Sequence, residues 1–186
     1  LTSKVAPVGI HSRSSGVTVI AKAVTETTSG EPVVEQYMTA FFRGAELEGS
    51  HGEHAPAHGF ADELRESEPL LSVTHGYDAD QTQRYSEASG DPMPIHLDED
   101  FAKSVGLPGI IAHGMCTLAF ASRAVIEADC PDDPARLSRL AGRFGAIVQP
   151  SEKVTTNVYA APSGLAFETV SDSGNTAIKD GLAEVR

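Results

Sequence analysis

The segment that most constrains the fold is 113–128, "HGMCTLAFASRAVIEA", in which apolar and small residues cover nearly every side of a helix. A helix with this pattern is buried, and strand-like segments surround it here. A short run, "LLSVTHGY", precedes the helix, and the runs at 140–148, 153–160, 165–171 and the closing "TAIKDGLAEV" follow it. The sequence therefore predicts an α+β domain in which one antiparallel sheet wraps around one long helix.

The N-terminal part repeats only the end of that pattern. Two β-branched segments, 16–28 and 32–43, are joined by "SGEP" and predict a hairpin. We interpret residues 1–45 as the closing strands of an incomplete copy of the unit, without its helix. Residues 46–68 carry seven acids and a single arginine, which predicts a flexible acidic linker before a domain at 69–186. Because the chain starts with leucine, we expect residues upstream of Leu1 that are missing, have been removed or lie on another chain.

Composition excludes several classes of function. The net charge is -12 and the sequence contains no dense run of Lys or Arg, so we expect no nucleic-acid partner and no anionic membrane surface. Two cysteines, Cys116 and Cys130, are too few for a disulfide framework and favour a reducing compartment, which predicts a cytoplasmic protein. The sequence shows neither a run of eighteen apolar residues nor a signal-peptide pattern.

One short region collects the residues that can do chemistry. Asp91 and His96 lie five positions apart around two prolines, which restrict the backbone and can hold both side chains near one small volume. A carboxylate beside an imidazole is the usual arrangement for general acid and base catalysis. Gly109, His113 and Gly114 lead into the long helix, whose first turn offers free amides that can bind an oxyanion. The alternative is structural, since Asp-Pro turns and capping histidines are common.

The whole string, "YSEASGDPMPIHLDEDFAKSVGLPGIIAHGM", resembles the signature of the MaoC-like hot-dog family, which includes (R)-specific enoyl-CoA hydratases and acyl-thioester dehydratases. The resemblance implies a hot-dog fold and a coenzyme A or acyl-carrier thioester as substrate. It also implies reversible syn addition of water to a trans-2-enoyl chain, giving the (R)-3-hydroxyacyl product. Coenzyme A would enter only as part of the substrate, and we expect no redox or metal cofactor.

The resemblance also assigns roles. Asp91 and His96 would hold and activate the water, while the Gly114 amide would bind the thioester oxygen. The family usually has Asn where this chain has Met93, so a polar partner is lost at that position. The expected substrate-binding residues are Ser89, Gly90, Met93, Pro94, His113, Ser122 and Val125.

The last two of these residues come from helix geometry. Leu118, Ser122 and Val125 follow Gly114 at intervals of four, four and three, so they share one stripe of the long helix. We expect a bound acyl chain to lie along this stripe. The alternative is that these residues only pack beneath the sheet.

Two further clusters of basic side chains could bind ligands. His51, His54 and His58 have metal-like spacing but lie in the acidic segment, and we predict that they are solvated and that no metal site forms. Three arginines of "ARLSRLAGR" could contact coenzyme A phosphates or simply aid solubility; they are Arg136, Arg139 and Arg143.

A hydro-lyase is the preferred function. A catalytically silent scaffold that binds acyl-CoA or a partner subunit is the second hypothesis, and a thioesterase is the third. Because an incomplete repeat leaves a sheet edge and apolar surface uncovered, we also expect association with another hot-dog unit, in a homo- or hetero-oligomer.

Overall fold

The computed structural model describes residues 1–186, and the chain divides into two compact units, Leu1–Ala57 and His58–Arg186. We call them unit 1 and unit 2. No helix in either unit is long and apolar enough to cross a membrane.

Unit 1 is an antiparallel sheet of four strands in the order β3-β2-β1-β4. The strands are β1 (Thr2–Arg13), β2 (Gly16–Glu26), β3 (Pro32–Arg43) and β4 (Ser50–Gly52). The predicted hairpin is present as β2 and β3, and unit 1 contains no helix.

One face of this sheet is apolar. Val17 pairs with Phe42 and Ala21 pairs with Met38 across β2 and β3, so these side chains share one face. The side chains of Met38 and Phe42 are 69% and 53% exposed. Unit 1 is therefore a single-layer sheet with apolar side chains in contact with solvent.

Unit 2 contains a five-stranded antiparallel sheet in the order β5-β7-β8-β9-β6. Its strands are β5 (Leu71–Gly76), β6 (Leu137–Phe144), β7 (Lys153–Ala161), β8 (Gly164–Ser171) and β9 (Thr176–Val185). Its helices are α1 (Gln81–Ser89), α2 (Glu99–Ser104) and α3 (Gly114–Asp129), with 3₁₀ helices at Asp62–Glu66, Pro94–His96 and Pro134–Arg136.

The core of unit 2 lies between α3 and the sheet. Ala121, Ala124 and Val125 of α3 are fully buried against strand residues that include Val158 and Phe167. Small residues on the helix let it approach the sheet closely, which explains why the segment is apolar or small on nearly every side. The predicted arrangement of one sheet around one long helix is confirmed.

Helix α1 begins at Gln81, and the side chain of Asp80 before it accepts no capping hydrogen bond. The Asp78 carboxylate accepts a hydrogen bond from Arg84, with Oδ2 and Nη2 separated by 2.7 Å. An ion pair on the surface therefore connects the start of α1 to the residues before it.

Residues 46–68 also differ from the expected flexible linker. They include β4, which pairs with β1, and the 3₁₀ helix Asp62–Glu66 of unit 2, and the boundary between the units lies inside them. Arg65 holds the carboxylate of Glu168 through Nε and Nη2, and Phe60 packs edge-on against Tyr159 at 5.3 Å. These partners lie far away along the chain, so local composition did not reveal them. That residues 1–45 are the end of a degenerate repeat stays a prediction.

Candidate active site

The end of α1 places Asp91. Gly90 ends the helix in the left-handed conformation, with φ of 72°, which glycine adopts without strain. The Ser89 hydroxyl donates to the Tyr85 carbonyl oxygen and accepts from the Asp91 amide. The Asp91 carboxylate then accepts from the Met93 amide, with Oδ1 and N 3.3 Å apart. Ser89 and Gly90, predicted to bind substrate, thus build the turn that presents the carboxylate.

His96 is held by a hydrogen bond between its ring and the backbone of the loop before α3. It ends the 3₁₀ helix Pro94–His96, and its ring is buried. Nδ1 lies 2.8 Å from the carbonyl oxygen of Ile111. A carbonyl oxygen only accepts, so Nδ1 carries the proton and Nε2 of the neutral ring carries a free lone pair. His96 is therefore oriented to take up a proton at Nε2.

His113 links the two predicted catalytic residues. Its side chain is only 2% exposed, and Nε2 donates to the Asp91 carbonyl oxygen at 3.2 Å. Its ring stacks on the ring of His96, with centroids 3.8 Å apart and an interplanar angle of 26°. Burial lowers the pKa of His113 below its ordinary value, which favours the neutral ring at neutral pH.

The three side chains converge. Asp91, His96 and His113 each bring one polar atom to within 4.8 Å of the others. Such a set could hold a metal ion, but two of the four imidazole nitrogens already bond to carbonyl oxygens. The arrangement fits proton transfer better than metal coordination.

Gly114 lies directly after His113 and begins α3. Its amide belongs to the first turn, where backbone N–H groups have no partner within the helix and the helix dipole is positive. A Cβ atom at this position would lie 3.0 Å from the ring of Phe144, so that ring would have to shift to admit a side chain there. The free amide and the Asp91/His96 pair are thus joined through one residue, His113.

The remaining predicted substrate-binding residues lie in different surroundings. Met93 is exposed, and Pro94 beside it is also exposed. On α3, the Ser122 hydroxyl donates to the Ala119 carbonyl oxygen at 2.8 Å. Val125 lies in the core beneath the sheet, which is where the alternative interpretation put it. A role for Ser122 or Val125 in binding an acyl chain stays a prediction.

Sequence reasoning missed the groups that hold this site in place. The loop before α3 is fixed by Glu99, whose carboxylate accepts from the Ile110 amide at 2.9 Å. This hydrogen bond, followed by the contact with Lys103, lowers the pKa of Glu99. The next residue, Ile111, supplies the carbonyl that orients His96. Backbone carbonyls and amides carry no sequence signature, so no spacing rule could have identified these contacts.

The histidines of the acidic segment do not share one set of contacts. His51 and His54 belong to unit 1, where the ring of His54 stacks on His11 at 3.9 Å. His58 belongs to unit 2, and its Nδ1 donates to the Asp180 carbonyl oxygen at 2.7 Å. All three histidines are exposed, in keeping with the predicted solvated state, and His54 and His58 also contact specific neighbours.

The three arginines after α3 also separate. Arg136 donates to the carbonyl of Arg186, and Arg139 pairs with Glu184 at 2.8 Å. Arg143 lies near the exposed end of β6, opposite Lys179 of β9. A role in binding phosphates stays a prediction.

An open cleft of unit 2, of about 490 Å³, is not the site. None of the residues that line it is Asp91, His96 or Gly114, and its two carboxylates, from Glu99 and Glu152, already accept from backbone amides. We assign it no part in the chemistry.

Comparison with known proteins identifies the family. The family model described as MaoC like domain matches residues 60–179. The chain belongs to the MaoC-like domain family. A solved MaoC-like dehydratase from Phytophthora capsici superposes with a TM-score of 0.91 at 25% identity, covering 99% of this chain and 61% of that one. The predicted hot-dog fold of this MaoC-like domain is confirmed.

Curated relatives of the MaoC-like domain are similar over most of the chain. "Probable enoyl-CoA hydratase 2" of Dictyostelium discoideum is 29% identical over 94% of this chain and 60% of its own length. "Enoyl-CoA hydratase 2, peroxisomal" of Arabidopsis thaliana is 28% identical over 100% of this chain and 62% of its own. The chain thus spans about three fifths of the length of these two relatives.

Proposed function

We propose that this MaoC-like domain reversibly adds water to trans-2-enoyl thioesters, giving (R)-3-hydroxyacyl thioesters. The observation that carries the proposal is that polar atoms of Asp91, His96 and His113 lie within 4.8 Å of one another and that His113 directly precedes the first-turn amide of Gly114. This pairs a proton-transferring dyad with a donor for a developing negative charge. The names of the Dictyostelium and Arabidopsis relatives support the same reaction.

In the hydration direction, the thioester oxygen accepts a hydrogen bond from the Gly114 amide, which polarises the conjugated double bond. Asp91 and Nε2 of His96 hold a water molecule on one face of the chain, and one of them takes a proton as the water oxygen bonds to C3. The electron pair of the double bond moves toward the thioester oxygen, where the amide and helix dipole stabilise it. A proton then returns to C2 on the same face. The step moves only protons and water, so it requires no redox or metal cofactor.

Crotonyl-CoA tests the proposal directly. The parent protein should remove the enoyl absorbance without releasing free thiol, and Asp91→Asn should lose most of this activity. Asp100→Asn is the matched control, because Asp100 is an exposed aspartate of α2 outside the site. Release of free thiol would favour a thioesterase, and a parent protein with no activity would overturn the hydratase in favour of a scaffold.

The scaffold is the second candidate because of two observations. Met93 cannot supply the polar group that the family usually has there. Unit 1 also exposes an apolar sheet face that suits a protein partner, including Met38 and Phe42.

We also propose that the protein associates with another hot-dog unit. The exposed apolar face of unit 1 supports this, because solvated apolar patches of this kind are typical of interfaces. A structural neighbour with a TM-score of 0.53 and 17% identity was solved as the ChsH1-ChsH2 complex of Mycobacterium tuberculosis. A light-scattering mass equal to one 19.5 kDa chain, unchanged by concentration, would contradict association.

We also propose a cytoplasmic location. Cys116 and Cys130 are both free and buried, which is compatible with a reducing compartment. The name of the Arabidopsis relative places that protein in the peroxisome, which is the competing location. Cell fractionation with antibody detection separates the two.

A further inference from the structure

His113 makes contacts that substrate binding does not explain. Its ring is buried, its Nε2–H group donates to the Asp91 carbonyl oxygen, and its face lies against His96. A third ring, that of Tyr85, lies next to the His113 ring, with the two centroids 4.9 Å apart. The side chain is therefore enclosed by the residues of the site and has almost no surface to offer a ligand.

The second observation is a nitrogen without a partner. Because Nε2 donates to a carbonyl oxygen, Nδ1 of the neutral ring is an acceptor, and it is buried with no hydrogen bond. A buried acceptor left unpaired costs free energy, so an apolar ring of similar shape would pack better at this position. The histidine is kept at this cost, which indicates that its Nε2–H bond is needed.

The third observation is its place in the chain. His113 is the residue before Gly114 and caps the start of α3 through its backbone. The side chain of His113 thus binds the carbonyl of Asp91, and its backbone is bonded directly to the amide of Gly114, the first free amide of α3. A shift of His113 would change the distance between the proton-transferring pair and the oxyanion amide.

We infer that His113 is a positioning residue of this reaction, which holds Asp91 at the correct distance from the Gly114 amide and supports the ring of His96. It acts through Asp91 and does not itself bind the substrate. The inference rests on the proposed hydration reaction, and it replaces the substrate-binding role expected from the sequence. Misplacement of a catalytic group by a fraction of an ångström is sufficient to lower a turnover rate strongly.

Two substitutions test the ring of His113 and its N–H donor separately. His113→Phe keeps an aromatic ring against His96 but removes the Nε2–H group. His113→Gln removes the ring but carries an amide N–H at the same number of bonds from Cβ. With crotonyl-CoA, we expect His113→Phe to lower kcat about 10- to 100-fold while KM changes less than about twofold, as for a lost transition-state interaction. We expect His113→Gln to recover a substantial part of kcat.

A double-mutant cycle with Asp91 distinguishes positioning from a general structural role. If His113 acts through the Asp91 carboxylate, His113→Phe should lower kcat of the parent but have little further effect on Asp91→Asn. Circular dichroism and thermal unfolding check that each variant is folded. If His113→Phe does not fold, the same cycle is measured with His113→Gln.

The outcomes are distinct. An unchanged kcat in folded His113→Phe, a rise in KM with kcat preserved, or a full additional loss in the double mutant would each overturn the positioning role. A parent protein that does not hydrate crotonyl-CoA would instead refute the proposed function on which this role depends.

Discussion

Replacing Arg65 by Met should destabilise unit 2 measurably, although the sequence around Arg65 reads as a solvated linker. Arg65 binds both carboxylate oxygens of Glu168, and the Glu168 side chain is only 9% exposed whereas that of Arg65 is 43% exposed. Removing one partner of a buried ion pair costs about 3–5 kcal/mol because a charge is left buried. Since water still reaches the arginine, we expect a smaller loss, on the order of 2 kcal/mol at pH 7.

Urea unfolding followed by circular dichroism measures this loss as a lower midpoint at constant slope. Replacing Glu168 by Met as well should restore most of the stability, because no charge is then left buried. Lys153→Met is the matched control: Lys153 is an exposed cation of β7 without an ion pair, and such a surface change should stay within about 0.5 kcal/mol. If Arg65→Met were as mild as this control, segment 60–66 would not stabilise unit 2 and the linker interpretation would stand.

Three further outcomes are expected. His96→Ala should lower crotonyl-CoA hydration on the order of 10²-fold or more, like Asp91→Asn, in a protein that stays folded; equal activity of either variant and the parent would refute the acid and base roles. Val125→Phe should lower activity on all chain lengths together and reduce stability by about 1–3 kcal/mol through overpacking of the core, and a loss confined to long acyl chains in a kinetic series would instead place the acyl tunnel there. The pKa values of His75 and His113 are lowered mainly by burial, so the unfolded state binds protons before the folded state does as the pH falls. The free energy of unfolding should therefore be highest above the ordinary histidine pKa of about 6.5 and should decrease below it. The decrease is at most about 1.4 kcal/mol per pH unit for each histidine. Urea midpoints at pH 7 and pH 5.5 measure this loss, and it should be smaller in His113→Phe.

The parts of the fold that depend on local pattern were predictable. Apolar and small residues on every side of α3 indicate a buried helix. Runs of β-branched residues indicate strands, as in β2, β3 and β7. The spacing of Asp91 and His96 was also readable, because two prolines limit the backbone between them.

What failed depends on contacts across long stretches of chain. Arg65 and Glu168 are separated by 103 residues, so the charge count around Arg65 could not show that its partner is a buried carboxylate. His96 is oriented by a backbone carbonyl, that of Ile111, and any residue type supplies one. The burial of His113 cannot be read from its neighbours in sequence either, and its role in binding substrate stays a prediction. Long-range packing, not local propensity, decided each of these positions.

The pairing of β5 with β7 governs the order in which unit 2 can fold. Ser72 and Asn157 face each other across this pair although 85 residues separate them, and the Asp91, His96 and Gly114 positions all lie inside that loop. Bringing two such distant strands together is slow because the loop loses its entropy before the contacts compensate. The meander of unit 1, in contrast, is built from neighbouring hairpins that form early. Because the catalytic groups lie inside the loop that this slow pairing closes, we expect a partly refolded chain to form the hairpins of unit 1 before it has a working site.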